Sequence, residues 1–354
     1  MLMNDDTNWT PISLSNIFTN YHGKRLVQQH RIPGPIPLLT AGKTNNGIAG
    51  FVSNDMQKYR NFVSVDMFDN SFVHPYWATG DDNIYFLTNP KLSEDVLSYI
   101  STCIQMQSDK FSYGKQFRQR NADITQIMLP TTETGEIDYA YMEKFVREKR
   151  KTLNQKYNTY AEKRIADLGE CSEIPKPTQK NWAAFLISDI FDIRPGRRLV
   201  ASDSTPGNRP FIGALDNSNG VARFVNDINV SLDKNVLGVN YNGNGMVIGF
   251  YHPYECIFSD DVKRFHLKHH EDNVFVLLFM KVVILQQKSK FGYLYKFNAE
   301  RMANTRIMLP VTDDGAPDYE YMELYVKKLM IRKYKQYLSY MDSKEESNKR
   351  DTTD

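Results

Sequence analysis

The sequence predicts an α+β chain written twice: a β-rich module followed by a long helix, then the same pair again. Three observations predict it. Ile127-Met-Leu-Pro130 returns as Ile307-Met-Leu-Pro310, and carrying that offset of 180 through residues 127–146 against 307–326 leaves twelve of twenty positions identical. Residue usage alone would give roughly one or two. Short apolar runs parted by Gly, Asn and Asp precede each block, the pattern of strands and turns. After each block, apolar side chains recur at threes, fours and sevens, the pattern of a long helix with a buried stripe.

The elements follow in order within each copy. Near the start, Trp9, Ile17-Phe18, Gly23 and Arg25-Leu26 match Trp182, Ile190-Phe191, Gly196 and Arg198-Leu199 at an offset of 173. Asn46-Gly47-x-Ala49-x-Phe51-Val52 matches Asn219-Gly220-x-Ala222-x-Phe224-Val225 at the same offset. His74-Pro75-Tyr76 matches His252-Pro253-Tyr254 at 178, and Lys110-Phe111-x-Tyr113-x-x-x-Phe117 matches Lys290-Phe291-x-Tyr293-x-x-x-Phe297 at 180. The drift from 173 to 180 means insertions in the second copy, which belong in surface loops on a preserved scaffold. Strands are expected at runs such as Ile36–Leu39, Gly50–Val52, Ile84–Leu87 and Val247–Phe250.

The apolar stretches Val96–Gln105 and Val274–Leu285 are expected to be helices, although β-branched Val282, Val283 and Ile284 would suit a strand. A strand ending in Ile-Met-Leu-Pro follows, then a glycine turn and a long helix capped by Asp138 or Asp318. The expected layout is a module at 1–137, a helix at 138–170, a Pro175/Pro177 linker at 171–181, a module at 182–317, a helix at 318–345 and a polar tail at 346–354. The helical stripes are Tyr139, Met142, Val146, Leu153, Tyr157 and Tyr160, and Tyr319, Met322, Val326, Met330, Tyr334, Tyr337 and Met341. Such stripes suit a partner helix.

Composition narrows the function classes. Of 354 residues 41% are apolar, enough for a sizeable core, and a net charge of +2 rules out binding nucleic acid by bulk charge. Local basic clusters still reach phosphates, since screening confines each charge to roughly 8 Å. Cys103, Cys171 and Cys256 are odd in number and far apart, which suits a reducing cytoplasm rather than a disulfide scaffold. The first residues carry no secretory pattern, and the longest apolar stretch has twelve residues including Lys281, too few for a membrane span.

The motif order resembles the specificity subunits of Type I restriction-modification systems, and most of all the shorter relatives that serve Type IIB enzymes. Two segments of each copy carry the resemblance: Pro-(Leu/Phe)-(Leu/Ile) … Asn-Gly-(Ile/Val)-Ala-x-Phe-Val, and Lys-Phe-x-Tyr … Ile-Met-Leu-Pro … Asp-Tyr-x-Tyr-Met-Glu. Together they span nearly the whole chain. The resemblance implies that each β-rich module is a target-recognition domain reading half of a split DNA site. It implies that the long helices pack antiparallel as a coiled-coil spacer and bind an adenine methyltransferase or restriction subunit. S-adenosylmethionine, and Mg2+ for cleavage, would then sit in that partner, with no cofactor, metal or catalytic residue in this chain.

Between the shared motifs the copies diverge, Lys43-Thr44-Asn45 standing against Asp216-Asn217-Ser218. Such divergence suits two domains that read different bases, and short polar side chains suit base edges. An Asn-Gly hairpin turn explains the same residues without DNA. Lys110 to Arg120 interleaves cations, aromatics and amides, with Tyr113, Lys115, Gln116, Arg118 and Arg120 as DNA-contact candidates. Its counterpart offers Tyr293, Tyr295 and Lys296, while the phenylalanines are assigned to packing. Lys24-Arg25 and Arg197-Arg198 beside a glycine suit phosphate clamps. His74-Pro-Tyr76 and His252-Pro-Tyr254 read as a repeated structural turn, because no acid or thiol recurs beside either histidine.

His266, His269 and His270 have no counterpart in the first copy and read as a surface or helix-end cluster rather than a metal site. Neither an Asn/Asp-Pro-Pro-Tyr/Phe motif nor a phosphate-cradling Gly-x-x-x-x-Gly-Lys-Ser/Thr loop occurs, against methyl transfer or ATP use by this chain. The competing classes are an enzyme with duplicated β domains, a nuclease or carbohydrate-active protein, and an interaction scaffold that does not bind DNA.

Overall fold

The computed structural model describes residues 7–107, 110–111, 114–170, 172–243 and 245–350. The chain divides into two compact units, 1–157 and 158–354, so the division falls inside the first long helix.

The first unit runs β1 (Asn8–Ser13), β2 (Thr19–His22), β3 (Pro33–Leu39), β4 (Ile48–Val52), β5 (Phe62–Asp66), β6 (Ser71–His74), β7 (Thr79–Gly80) and β8 (Ile84–Thr88). Then come α1 (Glu94–Gln105), α2 (Gln119–Ile124), β9 (Gln126–Thr131) and α3 (Tyr139–Leu168). The second unit repeats this as β10 (Trp182–Leu186), α4 (Ile187–Ile190), β11 (Phe191–Pro195), β12 (Pro206–Ile212), β13 (Val221–Val225), β14 (Val236–Asn240), β15 (Gly249–His252), β16 (Ile257–Phe258) and β17 (Val262–Leu267). It closes with α5 (Val274–Leu285), α6 (Ala299–Asn304), β18 (Arg306–Pro310) and α7 (Tyr319–Arg350).

Strand order is the same in both units. An antiparallel sheet runs β2-β8-β5-β6 in one and β11-β17-β14-β15 in the other. A second sheet runs β4-β3-β7 or β13-β12-β16, its last pair parallel. β1 pairs with β9, and β10 with β18, so the Ile-Met-Leu-Pro strand closes each module against its own start. β5 and β14 lie inside their sheets and are buried at every residue, the polar Ser64, Asp66 and Asn240 included. β4 and β13 alternate between half-buried and exposed residues.

α5 is a helix despite its β-branched end. Asn273 caps it, its side-chain oxygen accepting from the Phe275 and Val276 N–H groups, and Val276, Leu277, Met280, Val283 and Ile284 recur at helical spacing on one buried face, which leaves Val282 exposed. The Asp138 carboxylate accepts from the Tyr141 N–H at 2.8 Å and the Asp318 carboxylate from the Tyr321 N–H at 2.9 Å, as expected of N-caps. Gly135 and Gly315, at φ 83° and 84°, make the turn before each helix in the left-handed region that glycine tolerates.

Three expectations are corrected. The first turns of the stripes serve their own modules: Met142 and Val146 pack into the first core, Met322 and Val326 into the second, while Leu153 is 64% exposed. Periodicity reports a buried face, not what covers it. α7 continues to Arg350, past the boundary expected at residue 345, because Lys, Glu and Ser there include no helix breaker. Residues 351–354 of the expected tail lie outside the described residues. The run expected as a strand from Val247 begins at Gly249, since Val247 has φ 70°.

Candidate nucleic-acid interface

Pairing puts the C-terminal ends of β2, β3, β5 and β7 and the N-terminal ends of β4, β6 and β8 at one end of the first module. Backbone bonds knit the loops there: Gly23 N–H to Ile84 O, Lys24 N–H to Gly80 O, Asp81 N–H to Leu39 O. The Asp66 carboxylate accepts from the N–H groups of Gly42, Phe68 and Asn70 and from the Asn70 amide. The Phe117 N–H reaches Met67 O and brings in the segment from Gly114. The second module repeats the arrangement, with Arg197 N–H on Phe258 O, the Asn240 amide on Leu215 O and Phe297 N–H on the Met246 sulfur.

Most of the predicted contact residues therefore share one end of their module. Lys24, Arg25, Lys43, Thr44, Asn45 and Lys115 are exposed there, as are Arg197, Arg198, Asn217 and Ser218. Gln116 is half-buried and holds the Arg118 guanidinium; Arg118 and Arg120 are exposed at the start of α2. Tyr113 lies outside the described residues. Tyr293 and Tyr295 are exposed, with Lys296 Nζ 5.5 Å from the Tyr293 ring centre and the Arg301 guanidinium 3.8 Å from that of Tyr295. Phe117 and Phe297 are fully buried, as expected of packing residues.

Gly23 and Gly196 explain the cation pairs that follow them. A Cβ on either would stand about 2 Å from a carbonyl oxygen, 1.9 Å from Asp81 O and 2.0 Å from Ser259 O. Only glycine lets the chain cross there before turning its cations outward.

The repeated His-Pro-Tyr motif pins the polar turn. Asn45 and Asn46 stand at φ 52° and 51°, Ser218 and Asn219 at 48° and 53°, each pair followed by a left-handed glycine. The Asn219 amide donates to the Tyr254 hydroxyl at 2.8 Å, and in the first unit the Asn46 side chain acts on the Tyr76 hydroxyl, holding its pKa down against the upward push of burial. Behind each tyrosine stands its histidine, 3.3 Å from Tyr76 at His74 Nδ1 and 3.5 Å from Tyr254 at His252 Nδ1. Both histidines are fully buried, and burial pushes each down to about 4, so both are neutral. His74 Nε2 bonds the Ser64 hydroxyl at 2.8 Å; Gly238 takes the serine's place in the second unit and leaves His252 Nε2 without a partner.

Sequence reasoning missed Asp69. It is buried at φ 66° with neither carboxylate oxygen bonded, and burial, aided by the charge of Asp66, pushes it up to about 7. Val247, at φ 70°, is the buried left-handed residue one place from the end of the matching loop. No local signal marks such a position.

His266 belongs to a different structure. Its Nδ1 lies 2.6 Å from Asp272 and its Nε2 3.0 Å from Asp233, which also holds Arg264 at 2.8 Å. The Asp272 bond, above all, raises the imidazole above its ordinary range. Among the described residues no group of three His, Cys, Asp or Glu side chains is placed to hold a metal ion, and no helix is long and apolar enough to cross a membrane.

The sequence model of the Type I restriction modification DNA specificity domain matches residues 6–159 and again 179–337, once in each half of the chain. The chain belongs to this family. The Type II restriction enzyme BgcI specificity subunit S.BcgI of Heyndrickxia coagulans is 36% identical over 335 residues, covering 92% of this chain and 96% of that protein. A Type I S subunit from M. genitalium superposes with a TM-score of 0.49 at 13% identity, covering 98% of this chain and 96% of the other. For the HsdS subunit from Thermoanaerobacter tengcongensis the values are 0.33 and 10%, with 95% and 91% covered. As a restriction-modification specificity subunit the protein recognises DNA sequence, with one target-recognition domain in each unit. Specificity subunits of these systems act together with methyltransferase and restriction subunits.

Proposed function

We propose that the two recognition domains of this specificity subunit read the two halves of a bipartite DNA site, using the loop ends described above. The observation that carries this reading is the split between constant and variable residues at those ends. The crossing glycines, the His-Pro-Tyr pin and the Asn-Gly turn recur, whereas the side chains they present differ, Lys43-Thr44-Asn45 against Asp216-Asn217-Ser218. A fixed scaffold presenting different polar groups is what two different half-sites require.

In this reading Lys43, Thr44, Asn45, Gln116, Asn217 and Ser218 face base edges. Lys24, Arg25, Lys115, Arg118, Arg120, Arg197, Arg198 and Lys296 neutralise phosphates, and Tyr293 and Tyr295 offer stacking faces. Tyr113 joins them by sequence position alone. The helices α3 and α7, 30 and 32 residues long, act as antiparallel spacers. At 1.5 Å per residue each is roughly 45 Å long, which favours a gap of several unspecified base pairs.

The subunit brings no chemistry of its own and works in the cytoplasm, directing an adenine methyltransferase or restriction subunit that holds S-adenosylmethionine, and Mg2+ for cleavage. Family membership supports this, and both recurring histidines are sealed in the fold as neutral struts. The test mixes purified chain with site-bearing and random DNA at rising salt. Sequence-selective binding without turnover is expected; hydrolysis by the lone chain would overturn it.

A further inference from the structure

One feature of the second domain goes unused by loops that only touch base edges. Gly292 and Tyr295 exchange backbone bonds at 3.2 and 3.0 Å, making a two-residue hairpin with Tyr293 and Leu294 at its tip. Tyr293 is 84% exposed and Leu294 95%, so the tip puts its apolar surface into water and contributes nothing to the core.

The hairpin is stiff behind that tip. Phe291 lies parallel to Tyr295 at 5.8 Å, leans on the buried Phe297 at 4.6 Å, and the Arg301 guanidinium lies over the Tyr295 ring at 3.8 Å. The Phe297 N–H bond to Met246 ties it to the loop beside the base-reading turn. Its flanks are cationic. From Gln286 to Asn298 there are Lys288, Lys290 and Lys296 and no acid. An apolar tip on a rigid cationic base suits insertion between stacked bases while the lysines meet phosphates on either side.

We propose that Tyr293 and Leu294 form a wedge that enters a base-pair step of the half-site read by the second domain and unstacks it. The proposal rests on the reading that this end of the domain faces DNA. The first domain lacks the device, because at the offset of 180 Gly114 and Lys115 stand where Leu294 and Tyr295 do. DNA deformation is therefore confined to one half of the site. An apolar pocket of the partner subunit is the competing occupant, and the acid-free flanks favour a polyanion over it.

The experiment uses the full chain with its methyltransferase partner and DNA carrying 2-aminopurine at successive positions of both half-sites. On binding, fluorescence rises at one step of the second half-site other than the methylated adenine, and the first half-site stays silent. Leu294→Ala abolishes that rise and weakens site-selective binding about tenfold, as loss of one good step contact does. The melting temperature is unchanged, since the side chain is in water. Selective binding with no such rise in the wild-type chain, or a rise that survives Leu294→Ala, overturns the wedge. Loss of subunit assembly in Leu294→Ala, read by size-exclusion chromatography, overturns it in favour of the partner pocket. Absence of any selective binding by the wild-type complex sinks the DNA-facing reading itself.

Discussion

Tyr254→Phe removes one hydroxyl and leaves the ring in place. That hydroxyl accepts from the Asn219 amide at 2.8 Å and backs onto His252. Asn219 and the preceding Ser218 are both left-handed, at φ 53° and 48°. Each such residue costs about 1 kcal/mol relative to ordinary backbone, so the turn is held against its own preference. A hydrogen bond of this kind contributes about 1 kcal/mol net. Removing it lowers the ratio of pinned to unpinned turn about fivefold, since about 1.4 kcal/mol corresponds to a factor of ten. If the pinned turn is the form that reads bases, Tyr254→Phe cuts discrimination against wrong bases by at most about fivefold in the second half-site and leaves the first unchanged. Tyr76→Phe does the reverse. Asn219→Gly restores part of the loss, because glycine adopts the left-handed form unaided. The assay is competition binding with duplexes carrying single-base changes in one half-site or the other. Equal loss in both half-sites from either variant, or none from both, would refute the reasoning.

Four further outcomes follow from the geometry. His74 and His252, held neutral with pKa values of about 4, bind protons in the unfolded chain before the folded one. Their stabilisation is complete above about pH 6.5 and falls as pH drops toward 4, by about 2 kcal/mol each at pH 5. His266 runs the other way: its raised pKa stabilises the fold at low pH and that share is lost as pH rises through it, so His266→Gln flattens the alkaline side of a melting-temperature profile. Gly23→Ala and Gly196→Ala push a methyl group into Asp81 O or Ser259 O, and thermal melts should show losses of several kcal/mol, on the order of overpacking in a core. Asp95→Ala frees Arg147 and Arg150, which clamp α1 to α3 at 3.3 and 2.6 Å; with the arginines partly in water, urea melts should show a loss of about 1–2 kcal/mol.

The parts of the fold that were legible are those with local signals. Asp138 and Asp318 announced helix starts because a cap acts within three residues, and the repeat located both modules because indels sit outside its motifs. The Asn-Gly turns were legible, but not their pin, since Asn219 and Tyr254 lie 35 residues apart and meet only once β12 to β15 have folded. Arg150 meets Asp95 across 55 residues for the same reason. Leu294 was hidden among residues already noted for charge and stacking, because exposure is a property of the folded hairpin. The helical stripes were legible as buried faces in their first turns, where Met142 and Met322 are buried but covered by their own modules, whereas Leu153, Tyr160 and Tyr337 are exposed.

The central claim, two domains reading two halves of one site, is tested most directly by mapping methylated positions in DNA modified by the subunit with its methyltransferase. The same mapping is then repeated after exchanging Lys43, Thr44 and Asn45 for Asp, Asn and Ser. The account predicts a bipartite motif with an unspecified gap, of which only one half changes in the exchanged chain. A single continuous motif, or a change in both halves at once, would contradict it.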